Sequence, residues 1–597
     1  MTTKPKSLLG KLLVWKAHHL SQEQFIILLS IVVGLVSGLV AVTLKNLVHL
    51  VQHAMHTGMF TEYFNVYYFI FPIVGLGITL IILKIWRKLL GDKNYLVGEG
   101  IPHTLYAISR RNGLIKPLKM IDFFISSIIT VGFGGSVGLE GPTVGTGSAI
   151  GSNLGRAMHL NFKERILLIS CATTGAIASI FNAPIAAIIF TIEIFSLDLT
   201  FSSLIPLLLA STSGAVTSIF IRGNEYLLHQ RVLEAFRVED MPFYIALGVF
   251  AALVSVLFNK MYLYGMGQFE KIKSSNHRFL IGGSLLGLLL FLIPPLYGEG
   301  YETINSLLND NPEEIVSDSL FADYFQSNFW MLVLIAGMIV FKVMAALFTV
   351  GAGGIGGVFA PSLFVGASTG YVFSRLVNDT GIGAIASTNF TLVGMAGLMA
   401  GVLHAPLTAV FMIAEITGGY QLFIPLMLVA AISFLITRNF MPHSIFNRQL
   451  ARRGELLTHN KDHAILTLLD IKKVIERDFK RVKPEMTLGE LVQVVSKSHR
   501  NLFPVVNEEQ ELVGVLTLDD FRHIMFDDGL YENTYVSQLM NPPPARIDLN
   551  ENMQDVTRKF QESGAWNLPV MDGNKYVGFI SKSKLFSVYR QKLLEFT

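Results

Sequence analysis

The segment Gly138-Leu139-Glu140-Gly141-Pro142 is the part of the sequence best suited to chemistry, because it places one carboxylate among glycines in an apolar chain. Glycines let backbone N–H groups approach a ligand closely. Pro142 suits the first turn of a helix, where its missing N–H is not needed. The free N–H groups and the positive dipole end of a helix start attract anions. The segment predicts an anion site for which Glu140 competes; the alternative is a glycine-rich helix contact with an incidental glutamate.

The segment recurs in altered form, with residues 357–361 aligned to 138–142 and the register kept through the glycines that follow. A second pair of motifs follows in the same order. Its members are Ala183-Pro184 and Ala405-Pro406, each with a glutamate nine residues after the proline, at Glu193 and Glu415. Both pairs of matching motifs are separated by nearly the same number of residues, which indicates an internal duplication. In membrane transporters, such repeats place the ligand site at the interface between them.

Composition indicates a membrane protein with more than one domain. The 597 residues are only 15% charged, against about 25% in typical soluble domains, and mean hydropathy is +0.50. The apolar run Phe25–Leu44 reaches the roughly 20 residues that a spanning helix needs, whereas other runs such as Phe329–Phe341 are shorter. A net charge of +3 gives no reason to expect a nucleic-acid partner. Cys171 is the only cysteine, so an internal disulfide or a thiolate metal cluster is excluded.

The distribution of positive charge predicts the orientation. Four lysines precede the first apolar run, and eight lysines and arginines lie between residues 84 and 119. By the positive-inside rule, the N-terminus and an 84–119 loop are cytoplasmic, and Glu140 lies toward the outer side. The first residues lack the cleavage pattern of a signal peptide. The expected location is the bacterial inner (plasma) membrane, with both termini in the cytoplasm.

The last 130 or so residues are charged and contain two modules with the order helix, strand, turn, strand, helix. The pattern resembles a tandem of CBS domains. In that family, a Gly-x-x-Thr/Ser-x-x-Asp element often holds an adenosine ribose. Gly514, Thr517 and Asp520 match it, whereas the second module has Lys584 in place of the Asp. The resemblance implies adenine nucleotide (ATP, ADP or AMP) as a ligand at Thr517 and Asp520, but a purely structural dimerisation module without nucleotide is favoured over it.

With Gly98-Glu99-Gly100-Ile101-Pro102 added to the repeated motifs, the chain resembles the CLC family of chloride channels and transporters. The resemblance implies an all-α polytopic membrane domain with an internal inverted repeat, followed by the α/β CBS pair. It implies that helix starts at 98–102, 138–142 and 357–361 point inward at chloride. It also implies a homodimer in the bilayer with an anion pathway in each subunit, Glu140 as gate, chloride as ligand and no required cofactor. The implied anion-binding residues are Glu99, Gly100, Ile101, Leu139, Gly141, Val358, Phe359 and Phe446. The implied segments are 1–24 (N-terminal), 25–455 (membrane), 456–469 (linker), 470–530 and 531–597 (CBS).

Three residues depart from the family pattern. Glu99 stands where many chloride-selective members have serine, and Phe446 stands where a tyrosine hydroxyl usually binds the anion. Ile194 replaces the inner glutamate of proton-coupled exchangers and cannot carry a proton. Ile194 favours a passive chloride channel, with chloride/proton antiport as the alternative. A CBS-regulated divalent-cation channel is disfavoured because the path has few acids, and an enzyme because no nucleophile and base accompany Glu140.

Overall fold

The computed structural model describes residues 18–57, 64–90, 100–195, 201–223, 228, 234–316, 327–448, 469 and 471–596. The chain forms two compact units, Met1–Arg453 and Gly454–Thr597. The first unit is helical and the second is α/β. These architectures confirm the predicted fold class.

The described part of the first unit contains sixteen α-helices. They are α1 (Gln22–Thr57), α2 (Phe64–Leu90), α3 (Gly100–Arg110), α4 (Leu118–Gly132), α5 (Glu140–Ala157), α6 (Phe162–Phe181), α7 (Pro184–Phe195), α8 (Phe201–Arg222), α9 (Met241–Lys271), α10 (Ser275–Leu292), α11 (Tyr301–Leu308), α12 (Asn328–Gly351), α13 (Phe359–Asp379), α14 (Ser387–Leu403), α15 (Pro406–Ile416) and α16 (Phe423–Phe440).

Eight described helices are long and apolar enough to cross a membrane: α1, α2, α6, α8, α9, α10, α12 and α16. Large apolar side chains remain exposed on several of them, as at Phe220, which is 90% exposed. Apolar surface of this extent suits contact with lipid. The helices run beyond the apolar stretches seen in sequence; α12 extends ten residues past Phe341 because its second half is buried against other helices.

The stretch 84–119, expected to be a loop, contains helix α3. Its short sequence is strongly amphipathic, and most of its side chains are buried, including Ile101 and Ile108. Tertiary packing of that apolar face stabilises a helix too short to be stable alone. Helix α3 begins within the helix start at 98–102 that the family resemblance implies, so only the description of 84–119 as one loop is corrected.

The internal duplication is visible in the packing. Helix α1 packs against α6 and α8, and α9 packs in the same way against α14 and α16. Within each repeat the helix that follows the glycine-rich motif packs on the next one, α5 on α6 and α13 on α14. The two repeats meet through α7 and α15.

Glu193 and Glu415 each cap the start of a helix in the opposite repeat. The Glu193 carboxylate, near the end of α7, accepts hydrogen bonds from the N–H groups of Leu407 (3.1 Å) and Thr408 (2.8 Å) at the start of α15. The Glu415 carboxylate, near the end of α15, accepts from the N–H groups of Ile185 (3.1 Å) and Ala186 (2.8 Å) at the start of α7. Each carboxylate satisfies donors that a helix start leaves unpaired. The repeated nine-residue spacing thus has a structural role.

The described part of the second unit contains two sheets. In the first module, α17 (Leu488–Ser496) precedes the antiparallel strands β1 (Leu502–Val506) and β2 (Leu512–Thr517). In the second, β3 (Ile547–Asp548) runs parallel to β4 (Asn567–Asp572), which is antiparallel to β5 (Lys575–Ser581). The other α-helices among its described residues are α18 (Leu518–Phe521), α19 (Val536–Leu539), α20 (Met553–Ser563) and α21 (Lys582–Phe596). A backbone bridge from Glu476 to Phe579 joins the N-terminal segment of the unit to the second sheet.

Replacing Glu415 by alanine should destabilise the first unit, because two helix-start N–H groups lose their acceptor. We expect the free energy of unfolding to fall by about 1–3 kcal/mol, seen as a lower melting temperature of the detergent-solubilised protein. Glu313→Ala, at an exposed carboxylate, is the control. Equal melting temperatures for the two variants would contradict the capping role.

Candidate functional site

Two glycine-rich turns bring the repeated motifs together. The N–H of Gly138 donates to the carbonyl of Gly357 (2.9 Å), and the N–H of Gly357 donates to the carbonyl of Gly138 (2.8 Å). The pair forms an antiparallel bridge immediately before α5 and α13. The starts of these two helices are therefore held side by side by the backbone itself.

Glu140 is the first residue of α5, but its side chain reaches the start of the other helix. Its Oε1 accepts a hydrogen bond of 2.6 Å from the N–H of Phe359, the first residue of α13. The backbone N–H of Ala360 also donates a hydrogen bond to the carboxylate. The side chain is buried, with 1% of the residue exposed. A carboxylate on the free amides of a helix start occupies a position suited to an anion.

The absence of side chains at two glycines makes room for this carboxylate. A Cβ atom at Gly138 would lie 2.0 Å from Oε2 of Glu140, and one at Gly357 would lie 2.4 Å from Oε1. Both distances are too short for any real contact. The bridging glycines thus form the wall against which Glu140 rests.

Helix α3 supplies a third start near the same place. A Cβ at Gly100 would lie 2.0 Å from the carbonyl oxygen of Gly141, so the two backbones touch. Ile101, Leu139 and Val358 are all buried. The structure thus brings together these members of the predicted anion-binding set: Gly100, Ile101, Leu139, Gly141, Val358 and Phe359. Glu99 lies outside the described residues.

The remaining predicted pathway residues are buried in other elements. Ile194 lies in α7 with 5% of its surface exposed, and Phe446 lies after α16 with 2% exposed. Their proposed relations to the anion, as a missing proton carrier and a missing hydroxyl donor, stay predictions.

A cluster of charged groups near the bridge was not identified from sequence. Glu299, in the turn before α11, accepts a hydrogen bond of 3.3 Å from the N–H of Leu139. Glu299 interacts electrostatically with Lys45 of α1 and Lys342 of α12, and both lysines are buried. Two signals were present: lysines inside apolar helices, and a Gly-Glu-Gly sequence at 298–300 that repeats the one at 98–100.

In the second unit, Thr517 and Asp520 lie together where β2 meets α18. The Asp520 carboxylate accepts from the Thr517 N–H and hydroxyl, both at 2.6 Å, and from the side-chain amide of Asn541 at 3.0 Å. A ribose would have to displace these partners. A cavity of about 610 Å³ lies elsewhere, in the second module, and is lined by residues that include Trp566, Lys582 and Phe586. The nucleotide site stays a prediction.

Comparisons with known proteins agree with the architecture. The family model for voltage-gated chloride channels matches residues 85–438, and the CBS-domain model matches 471–527 and 536–590. A chloride channel protein described as ClcB-like, from Ralstonia nicotianae, is 30% identical over 392 residues, which cover 64% of this chain and 83% of the relative.

Two crystal structures share the fold. That of a slow cyanobacterial Cl⁻/H⁺ antiporter has a TM-score of 0.61 at 20% identity, covering 72% of this chain and 97% of that one. That of a eukaryotic CLC transporter has a TM-score of 0.58 at 17% identity, covering 97% and 99%. With the family model matching more than half of the sequence, from α2 to α16, this protein belongs to the CLC family of anion channels and transporters and carries a CBS-domain pair.

Proposed function

We propose that this protein conducts chloride through a pathway gated by Glu140. The observation that supports this most directly is the 2.6 Å hydrogen bond from the Phe359 N–H to the Glu140 carboxylate. An ionised Glu140 stands in for the anion at the start of α13. When Glu140 is protonated, its attraction to the helix start weakens, the side chain leaves, and chloride takes its place on the same amides. Amides stabilise a dehydrated anion without the full charge that would trap it.

Passive conduction is the favoured mode, because Ile194 offers no proton carrier on the inner side. The Ralstonia relative carries the name of a chloride channel. Proton-coupled exchange is the second candidate. It is supported by the buried acid Glu140, which can carry a proton, and by the antiporter title of the cyanobacterial structure that shares the fold.

The oligomeric state and the cellular location are also proposals. We infer a homodimer in the bacterial inner membrane with both termini in the cytoplasm. The clustering of lysine and arginine in residues 1–16 and 84–119 supports the orientation. Helices α7 and α15 are too short to span a bilayer and expose Ile185 and Leu407, so a second subunit is a suitable cover. Adenine nucleotide at Thr517 and Asp520 is a proposal that rests on the CBS motif.

Glu140→Gln mimics the protonated gate, and Glu140→Ala removes it. Both should raise chloride efflux from proteoliposomes at neutral pH by roughly tenfold, the equivalent of one hydrogen bond of about 1.5 kcal/mol to a charged group. Both should also remove the acceleration at low pH expected of the parent protein. A chloride electrode measures the efflux. Parent-like rates and pH response in both variants would show that Glu140 is not the gate.

A passive pathway should move chloride without moving protons. In lightly buffered proteoliposomes, an external pH electrode should stay flat while chloride runs down its gradient. Ile194→Glu, which restores the inner acid, is the matched variant in which coupling could appear. Uphill proton movement by the parent protein at a fixed ratio to chloride would establish exchange instead.

Gly138→Ala should open the pathway by steric displacement. The new methyl group would lie within 3 Å of three atoms of the Glu140 carboxyl group, so that group must leave the start of α13. We expect chloride efflux at neutral pH to rise toward that of Glu140→Ala. Gly267→Ala, in α9 with open space around it, is the control and should change nothing. Reduced efflux from a folded Gly138→Ala protein would contradict this geometry.

A further inference from the structure

The turn that carries Glu299 is tied to the glycine-rich turn before Glu140. The buried ammonium of Lys342 donates to the carbonyls of Leu296 (3.1 Å) and Gly298 (2.9 Å). The hydroxyl of Ser136, in the turn before α5, donates to the carbonyl of Leu296 (2.6 Å). The Tyr297 hydroxyl donates to the carbonyl of Gly132 at the end of α4 (3.3 Å). These contacts hold residues 296–300 in place beside the start of α5.

Two glycines orient the Glu299 side chain within this turn. Gly298 and Gly300 have φ angles of 60° and 88°, in the left-handed region that favours glycine. The carboxylate between them accepts the Leu139 N–H, one residue before Glu140. Each of the two helix starts therefore donates an N–H group to a carboxylate: α13 to Glu140 and α5 to Glu299. Glu299 is partly exposed, whereas Glu140 is buried.

The groups that interact electrostatically with the two carboxylates come from four helices. They are Lys45 of α1, Arg222 of α8, Tyr301 of α11 and Lys342 of α12, and the two carboxylates also interact with each other. His49 of α1 interacts with Lys45 and Arg222. Lys45 also donates to the carbonyl of Ile180 (3.2 Å). Burial raises the pKa of the Glu299 carboxyl group, and Lys45, Lys342 and Arg222 oppose that shift, because opposite charges stabilise the charged form. An ionised Glu299 in turn disfavours a second negative charge on Glu140.

We propose that Glu299 is a positioning residue for the gate: it caps the helix that carries Glu140, and its negative charge favours the protonated, released state of Glu140. The inference rests on the proposed gating function. It assigns a role to a carboxylate outside the glycine-rich motifs. In this role, Glu299 sets the pH range over which chloride flux responds.

The test is the pH profile of chloride efflux from proteoliposomes containing the full chain. Glu299→Gln and Glu299→Ala remove the charge, so protonating Glu140 becomes less favourable. The pH of half-maximal flux should fall by about one unit in each. Glu299→Asp keeps the charge and should stay closer to the parent profile. Glu302→Gln, at an exposed carboxylate three residues later, is the matched control and should leave the profile unchanged.

Combining Glu299→Gln with Glu140→Gln separates this inference from the proposed gate. Glu140→Gln alone should give flux independent of pH, and adding Glu299→Gln should leave it so. One outcome overturns the role of Glu299 and leaves the gate intact. In that outcome, flux through Glu140→Gln is independent of pH, but folded Glu299→Gln and Glu299→Ala proteins keep the parent pH of half-maximal flux. A parent-like profile for Glu140→Gln overturns the gate itself. Elution of each variant as a single peak in gel filtration shows that it has folded.

Discussion

The bridge between Gly138 and Gly357 is the constraint on which the site depends. Two backbone hydrogen bonds of 2.9 and 2.8 Å hold the starts of α5 and α13 side by side, one from each repeat. Only glycine permits this approach with a carboxylate resting on the bridge. The side chain of one repeat can therefore occupy the helix start of the other, and in the proposed function chloride takes that place when Glu140 leaves it.

Backbone N–H groups, which carry partial positive charges, contact the Glu140 carboxylate. The fully charged lysines nearby interact with Glu299. The amides that contact Glu140 carry the dipole of α13, which attracts an anion without holding it permanently. The nearby cations have other partners: Lys342 donates to two carbonyls and Lys45 to another. They interact electrostatically with Glu299, which accepts a hydrogen bond from the N–H of Leu139, the residue before Glu140. A buried charge is expensive unless it is paired, and the carbonyl acceptors of Lys342 and Lys45 supply part of that pairing.

The two repeats also support each other away from the bridge. Glu193 and Glu415 cap α15 and α7 respectively, so the interface between repeats is held by charge-assisted hydrogen bonds in both directions. Glu193 is adjacent to Ile194, the position where a proton-carrying acid is expected in coupled exchangers. Because the Glu193 carboxylate is engaged with three donors of Leu407 and Thr408, a structural role explains its presence.

Local sequence determined where the helices near the site begin, that the membrane unit is duplicated, and where the α/β tail starts. The glycine and proline motifs located the helix starts, their repetition indicated the duplication, and composition separated the membrane unit from the α/β tail. These features are short-range, since backbone freedom at glycine and the start of a helix depend on neighbouring residues. Tertiary structure alone decided which partner each carboxylate meets. Glu140 accepts a hydrogen bond from Phe359, 219 residues away, and Glu299 accepts one from Leu139, 160 residues away. Such long-range pairings depend on how whole helices pack, and spacing along the chain carries no record of that packing.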